Sequence, residues 1–395
     1  MEEEYHLDNA LPKDDTLCAE EAAAALAAFE YAELDDGGIR ILRPKNADIV
    51  NISLPIGVTE IADKAFCGCE ALAEVVLPEG LAAIGRSAFS GCHRLISVHL
   101  PSTLRTIGED AFQFCDALRE ICLPDGLEVI ERDAFYGCES LTHVRLPRGL
   151  SRIGYEAFGY CENLTRVTLD TGDIDVAQAF CNCDRLEKIL PAEDNGRLIA
   201  IDGVVYTSDL ATLVAVNRDI LRDEMQIPHG VCRIASHAFN GCSGIKSVIL
   251  PEGLTEIGRS AFDGCSSLAS ITLPEGLFAL GDWCFEGCPI STIQLPSSIT
   301  SIGQGAFYFC NSLAEISLPQ GIAAIPSSCF AYCTSLSTVV IPRSVTEIGE
   351  SAFSSAERLN KIIYLGDRED FQAITIHQLC NTPLTLARLE CKSNQ

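Results

Sequence analysis

The stretch Leu250–Thr272, LPEGLTEIGRSAFDGCSSLASIT, is one unit of a repeat that makes up most of this 395-residue chain. The Phe of its Ala-Phe pair sets the period, because this Phe recurs every 23 residues, with one step of 22 in each of two series. The Phe anchors are Phe66, Phe89, Phe112, Phe135, Phe158 and Phe180, then Phe239, Phe262, Phe285, Phe307, Phe330 and Phe353. A fixed period of about 20 to 50 residues is typical of a solenoid, whose units contact mainly their neighbours.

A cysteine follows the Phe anchor by three residues in eleven of the twelve units, and only the last unit has Ala356 there. These cysteines are Cys69, Cys92, Cys115, Cys138, Cys161, Cys183, Cys242, Cys265, Cys288, Cys310 and Cys333. A shared register in so many units indicates a packing rule rather than a disulfide framework. A small apolar side chain whose weak S–H donor reaches a nearby carbonyl explains it. We therefore predict buried, reduced ladders of Phe and Cys, which suit a reducing compartment or an anaerobe.

The residue pattern within each unit predicts a strand, a tight turn and a helical turn in that order. The alternation of Leu72, Val75 and Leu77 predicts a strand with one buried face, which Pro78 ends because proline cannot donate to a ladder. Gly80 is expected in the following turn, where a positive φ is often needed. The Ser-Ala-Phe-x-Gly-Cys segment predicts a single helical or 3₁₀ turn. The expected fold is an α/β solenoid of about twelve 23-residue turns, with short parallel strands on one face and helical turns on the other.

Segments that lack the regularly spaced Phe and Cys residues divide the chain into five parts. The predicted parts are an N-terminal cap at 1–48, a first array at 49–190, a β-hairpin island at 191–226, a second array at 227–364 and a C-terminal cap at 365–395. The first cap is expected to hold an Ala-rich helix from Leu17 to Tyr31, and a hairpin around the turn Asp35-Asp36-Gly37-Gly38. The second cap is expected to hold a helix near Glu369–Ile374. Such caps cover the exposed ends of a solenoid.

The units LPEGLTEIGRSAFDGCSSLASITL and LPEGLAAIGRSAFSGCHRLISVHL resemble the BspA-type (Treponema-like) leucine-rich repeats of bacterial and some protist proteins. The resemblance covers about residues 47–364. The island segment IDGVVYTSDLATLVAV resembles an insertion common in that family, and IIYLGDREDFQAI resembles its usual C-terminal end. The resemblance implies a leucine-rich repeat superhelix used for protein or host-surface contact, often in secreted or cell-surface proteins.

Composition narrows the classes of partner. The net charge of −27 argues against affinity for nucleic acid or anionic membranes, and it favours a monomer that stays apart from its copies. The apolar run Ala22–Phe29 is too short to cross a bilayer, so no membrane insertion is expected. Because the chain shows no leader segment, the sequence as written predicts a cytoplasmic protein. A leader missing from it would place the protein at the cell surface or outside the cell.

No cofactor or metal is expected from the sequence. The glycines keep the repeat period and form no glycine-rich phosphate loop. The pairs Cys67-Gly68-Cys69 and Cys181-Asn182-Cys183 have no second pair at the spacing of a zinc site.

The outward strand positions of the first array carry a cluster of basic residues. The candidate binding residues are His99, Arg119, His143, Arg145, Arg166 and Lys188. In a chain of net charge −27, such a cluster favours binding of an acidic protein segment or a carboxylated glycan. The alternative is ordinary solvated strand charge, partly neutralised by Glu120 and Glu187. The second array instead presents a Ser/Thr-rich face, with Ser270, Thr272, Thr292, Ser317 and Thr338, which suits either uncharged hydrogen bonding to a partner or plain solvation.

One further pattern suggests an alternative function, a thiol-dependent enzyme. His99 and Cys122 hold equivalent positions in neighbouring units, about 5 Å apart, with Arg145 next in line to lower the thiol pKa. Such a pair can serve nucleophilic catalysis. However, nothing in the sequence supplies an oxyanion hole or a pocket, so a non-enzymatic interaction scaffold is the leading hypothesis and a surface adhesin is its alternative.

Aromatic residues gather near the predicted helical turns. They are Phe114, Tyr136, Tyr160, Tyr308, Phe309 and Tyr332. We expect them to pack over the Phe ladder. For Tyr308, Phe309 and Tyr332, which lie on adjacent units, the alternative is an exposed patch that contacts a partner or a second copy of the chain.

Overall fold

The computed structural model describes residues 19–171, 176–183, 185–193, 196–218, 223–377 and 380–392. The helices in these ranges are short: α1 Ala19–Leu26, α2 Arg368–Gln372, α3 Thr382–Leu386 and a 3₁₀ helix at Ala177–Phe180. None of them is long and apolar enough to cross a membrane.

Strands make up most of the regular structure. Up to the island they are β1 Phe29–Glu33, β2 Ile39–Pro44, β3 Asn51–Ser53, β4 Val58–Ile61, β5 Glu74–Val76, β6 Ala83–Ile84, β7 Ser97–His99, β8 Thr106–Ile107, β9 Val129–Ile130, β10 His143–Leu146, β11 Arg152–Ile153, β12 Arg166–Leu169 and β13 Lys188–Pro191. From the island onward they are β14 Leu198–Ile201, β15 Val204–Thr207, β16 Thr212–Val216, β17 Glu224–Gln226, β18 Arg233–Ile234, β19 Ser247–Ile249, β20 Glu256–Ile257, β21 Ser270–Thr272, β22 Ala279–Leu280, β23 Ser301–Ile302, β24 Glu315–Ser317, β25 Ala324–Ile325, β26 Thr338–Ile341, β27 Glu347–Ile348, β28 Lys361–Tyr364, β29 Thr375–Ile376 and β30 Arg388–Cys391.

The strands form two parallel stacks along the solenoid. The long-strand face consists of β3, β5, β7, β10, β12, β13, β17, β19, β21, β24, β26, β28 and β30, divided into several sheets. The second stack consists of the two-residue strands and their neighbours. Pairing advances by one repeat unit at each step, as where Glu74 pairs with Asn51 on one side and Ser97 on the other. The predicted solenoid is confirmed, and with the caps and the island it has about 15 turns rather than about twelve.

The Phe and Cys side chains form the predicted ladders in the core. All the anchor rings are buried, and successive rings within each series stack with centroids 4.6–5.7 Å apart. In nine units the thiol donates to the carbonyl oxygen of the Phe anchor one unit earlier, at 3.0–3.4 Å. Burial raises the pKa of the Cys92 and Cys333 thiols to about 12. The ladder cysteines are therefore buried neutral thiols, as the repeat predicts.

The side of the solenoid opposite the strands consists of turns, and among the described repeat units only Ala177–Phe180 takes the predicted helical form. The reason is the residue two positions before the Phe anchor, which has a positive φ, as at Ser260 (48°) and Trp283 (57°). A residue in this left-handed region cannot continue a right-handed helix. The turn backbone instead donates to the next unit, as where the Phe262 amide donates to the Cys284 carbonyl at 2.8 Å.

Glycines at two repeat positions have different roles. At Gly258, in the Ile-Gly pair of the repeat, an added Cβ would lie 2.6 Å from the backbone nitrogen of Ser236, so this glycine lets neighbouring units approach closely. At the Glu-Gly turn, Gly80 has the expected positive φ of 100°. Gly253 and Gly276 do not adopt a positive φ, so the prediction for this turn holds only in some units.

The island and both ends close the solenoid. In the N-terminal cap, α1 ends at Leu26, and the segment predicted as the end of a longer helix is strand β1, which forms a hairpin with β2. A strand is favoured over a helix at this segment because it buries Phe29 edge-on against Phe66, with ring centroids 6.0 Å apart. The expected helix start at Leu17 lies outside the described residues. The predicted boundaries of the five parts stay predictions.

The island consists of hairpins: β14, β15 and β16 pair antiparallel, and β16 then pairs parallel with β18 of the second array. At the C-terminus, Asp367 caps α2 by accepting the Asp370 amide at 2.9 Å. The side-chain oxygen of the buried Asn381 accepts a hydrogen bond from the Phe353 backbone amide at 3.0 Å. Phe353 is the last Phe anchor, so no following repeat unit supplies a carbonyl for this amide.

Candidate binding sites

The strand register brings three of the predicted basic residues into one column. His143 pairs with Arg166, and Arg166 pairs with Lys188, so their side chains project from the same position of neighbouring strands, about 4.8 Å apart. Arg119 lies one unit earlier, in residues 119–123, which form no strand. His143, Arg166 and Arg119 are exposed and Lys188 is partly so.

Arg119 and His143 line an open depression of about 550 Å³ on the long-strand face. The other residues of its wall are Glu120, Ser140, Thr142, Asn163, Thr165 and Arg185. Sequence reasoning missed Arg185 because it considered only the positions after the first Leu of each strand motif, and Arg185 comes directly before Leu186. The Arg185 guanidinium donates to Asn163 Oδ1 at 2.7 Å, which holds it at this site.

Arg145 has a partner within the chain that the sequence did not predict. Its Nη2 lies 2.5 Å from Oδ2 of Asp170, and Arg148 Nε lies 3.1 Å from the other carboxylate oxygen. The Asp170 side chain is only 1% exposed, and it occupies the repeat position that Pro fills in other units. Arg145 therefore contributes to a structural ion pair at the end of the first array.

His99 and Cys122 are both exposed, but the regular strand pairing ends between them. His99 is the last residue of β7, whereas Cys122 lies in the segment 119–123 without strand structure. Arg145, which the sequence analysis placed beside Cys122 to lower its thiol pKa, instead forms an ion pair with Asp170. Across the described ranges, no group of three or more His, Cys, Asp or Glu side chains is arranged to hold a metal ion.

The Ser/Thr-rich face of the second array contains a second depression. It has a volume of about 600 Å³, and its wall includes Thr292, Gln294, Glu315, Ser317, Thr338 and Val340. These residues occupy the outward positions of three successive units, so the wall offers hydroxyl and amide groups with a single carboxylate among those six.

Four of the aromatic residues are exposed, which contradicts the expectation that they pack over the Phe ladder. Phe114, Tyr160, Phe309 and Tyr332 are 38–43% exposed. They occupy the Gly position of the Ser-Ala-Phe-x-Gly-Cys motif, with φ of 55–60°. Phe309 and Tyr332 stack on one another with centroids 4.5 Å apart, so they form an exposed aromatic patch.

Comparison with known families now defines the class of protein. The sequence profile described as the BspA type leucine rich repeat region matches residues 45–165, 106–198 and 224–364, in six copies. The chain therefore belongs to the BspA-type leucine-rich repeat family. No curated protein matches its sequence.

Solved structures show the same architecture. A leucine rich cell surface protein from Faecalibacterium prausnitzii is similar over 88% of this chain and 96% of its own, with 28% identity and a TM-score of 0.59. A leucine-rich repeat protein from Bacteroides ovatus is similar over 93% of this chain and 98% of its own, with 26% identity and a TM-score of 0.50. The pneumococcal vaccine antigen PcpA shares the fold over 93% of this chain and 83% of its own, at 20% identity and a TM-score of 0.58.

Proposed function

We propose that this protein is a non-enzymatic binding scaffold whose long-strand face takes a carboxylate-bearing ligand, an acidic protein segment or a carboxylated glycan. The proposed contact residues are Arg119, His143, Arg166 and Lys188, with Arg185 at the edge. His99 extends the same face toward the N-terminus, and Arg145 acts indirectly by fixing the end of β12 through Asp170.

One observation carries the proposal. His143, Arg166 and Lys188 project side by side from neighbouring strands, and the like charges of Arg166 and Lys188 repel each other there. Neither Arg166 nor Lys188 forms an ion pair in the part of the chain that the structure describes, although the protein carries a net charge of −27. A carboxylate ligand relieves this repulsion, and the guanidinium groups offer it paired N–H donors.

The decisive experiment reverses two of these charges. We expect R119E/R166E to weaken binding of a Glu-rich octapeptide or of a hyaluronan oligosaccharide at least tenfold, measured by calorimetry at two salt concentrations. The control is R94E/R358E, which makes the same charge change at two exposed arginines outside the proposed site. Equal binding by both variants, or binding of neither probe by the unaltered protein, would refute the proposal.

A thiol-dependent enzyme centred on Cys122 and His99 is the competing class of function. Native alkylation separates the two, because a catalytic thiolate is modified much faster than an ordinary exposed thiol. The scaffold proposal expects Cys122 to react at the same rate as the exposed Cys67. A rate for Cys122 many times higher, lost in H99A, would favour the enzyme.

The similarity to a Faecalibacterium prausnitzii cell surface protein favours a second candidate, a surface adhesin. In this case the same long-strand face would meet a ligand outside the cell. Labelling of intact cells with a membrane-impermeant reagent tests it: labelled protein supports the adhesin, and label confined to broken cells excludes it.

A further inference from the structure

A third cavity, of about 420 Å³, lies where the two arrays meet, and it shares no lining residue with the depressions of the long-strand face. We call it the junction cavity. Tyr155 and Cys181 of the first array contribute to its wall, together with residues of the second array that include His237, Asp263 and Glu286. Its lining comes from the turn side of the solenoid, so it is separate from the proposed carboxylate site.

One repeat position supplies much of the polar wall. The residue directly after the Phe anchor is Asn240, Asp263, Glu286 and Tyr308 in four successive units, and all four line the cavity. No unit of the first array has a carboxylate at this position. Since successive units stack about 4.8 Å apart, Asp263 and Glu286 form a pair of neighbouring acids on one wall.

These two acids are partly desolvated, and burial outweighs the charge of Arg218 at Asp263. Burial raises the pKa of Asp263 to about 6, and burial together with the charge of Asp263 raises the pKa of Glu286 to about 7. Neither forms an ion pair within the described residues, although Asn240 Nδ2 donates to Asp263 at 3.1 Å. Two arginines lie nearby: Arg259 itself lines the cavity, and the charge of Arg218 acts to lower the pKa of Asp263. Arg218 donates to the Cys183 and Asn240 carbonyls at 2.7 and 3.0 Å, and the Arg259 guanidinium lies over the Tyr155 ring at 5.4 Å.

His237 adds a buried acceptor to the same wall. Its side chain belongs to a residue only 7% exposed, and its Nε2 has no hydrogen-bond partner in the described structure. Burial and, to a lesser degree, the charge of Arg259 lower its pKa to about 4, so the ring is neutral near pH 7. The Cys181 thiol donates to the Gln178 carbonyl at 3.3 Å and lies 3.9 Å from His237 Nδ1. Nδ1 is therefore assigned the proton, and the buried, unpartnered Nε2 carries the lone pair.

Aromatic rings complete the cavity on the side of the acids. Trp283 and Tyr308 both line it and meet edge to face, with centroids 5.2 Å apart. The indole packs against Gly305, where any side chain would clash with it. Beyond Tyr308 the aromatic surface continues into the exposed pair Phe309 and Tyr332. Aromatic faces attract cations, and they also cover the aliphatic stem of an amine.

We propose that the junction cavity binds a primary ammonium group, borne either by a free amine or by a lysine side chain of a partner protein. An ammonium ion has three N–H donors and no acceptor. The carboxylates of Asp263 and Glu286 and the Nε2 atom of His237 supply three acceptors. The ammonium charge also offsets the repulsion between the two acids.

Trp283 is the only tryptophan of the chain, so its fluorescence reports this cavity. The full chain is titrated with 1,4-diaminobutane, with Nα-acetyl-lysine methylamide and, as the uncharged analogue, with 1,4-butanediol. We expect a saturable fluorescence change with an amine and none with the diol. Binding of the lysine derivative alone identifies a lysine side chain as the ligand, and binding of the diamine alone identifies a free amine. E286Q should weaken amine binding at least tenfold, whereas E350Q, an exposed acid on the same side, should leave it unchanged.

The dependence on pH gives a second test that needs no variant. Amine affinity should rise from about pH 6 to about pH 8 as Asp263 and Glu286 lose their protons, since the pKa of His237 lies below this range and Arg218 and Arg259 stay charged throughout. An affinity that does not change with pH, a diol that binds as well as the diamine, or no saturable signal with either amine would overturn the proposal.

Discussion

Replacing Phe262 by Ala measures what one rung of the Phe ladder contributes to stability. The ring is fully buried, and it stacks on Phe239 at 4.6 Å and on Phe285 at 5.4 Å. Removing a buried Phe side chain costs about 3–5 kcal/mol of unfolding free energy. An aromatic pair contributes about 0.5–1.5 kcal/mol beyond its buried area. Because the substitution removes a ring contact on both faces of Phe262, we expect the free energy of unfolding to fall by about 4–5 kcal/mol, near the upper end of the range for a buried Phe.

Urea unfolding followed by circular dichroism and by Trp283 fluorescence is the assay. Two signals are needed because a solenoid can unfold in parts, and Trp283 lies one unit from the substitution. The control is F278A, which removes a Phe that is 48% exposed and should cost less than about 1 kcal/mol. A loss below about 1 kcal/mol for F262A, equal to that of the control, would refute the reasoning from ring stacking.

Three further predictions concern stability. D170N should lower the unfolding free energy by about 1–3 kcal/mol in urea titrations, because the ion pair with Arg145 is lost at a buried carboxyl; no loss would show that the pair is dispensable. G258A should lower the melting temperature strongly, since its added Cβ would meet the backbone of the preceding unit. G253A, which has open space around it, should change the melting temperature little. Equal effects of the two substitutions would contradict the view that Gly258 allows a close approach of neighbouring units. Because burial raises the pKa of Glu286, the folded state holds a proton that the unfolded chain releases, so this residue makes the wild type less stable as the pH rises from about 5 to about 8. The melting temperature of E286Q relative to wild type should therefore increase over that range, and a constant difference would contradict the shifted pKa.

The periodic features of this protein could be predicted from its sequence. A residue that recurs every 23 positions has the same neighbours in every unit, so the burial of Phe262 or Cys265 follows from the repeat alone. The island hairpin was equally accessible, since strand patterns there flank a clear turn. The helical turns were overestimated, because no residue type in the Ser-Ala-Phe segment announces a positive φ at Ser260.

The sites depend on features that the period does not determine. The pairing of Arg145 with Asp170 depends on a break in the repeat, where an acid replaces Pro beside the neighbouring strand. The junction cavity requires His237 to meet Cys181, 56 residues away across the island. The path of the island, rather than the repeat, brings these side chains together, so neither contact follows from the register.

Site-by-site thiol alkylation of the native protein tests the central claim, that neighbouring units lie in register around a dry ladder. The reagent should modify the exposed Cys67, Cys122 and Cys380, while fully buried ladder thiols such as Cys115 and Cys138 should react only after unfolding. Modification of Cys138 in the folded protein at the rate of Cys122 would contradict the account.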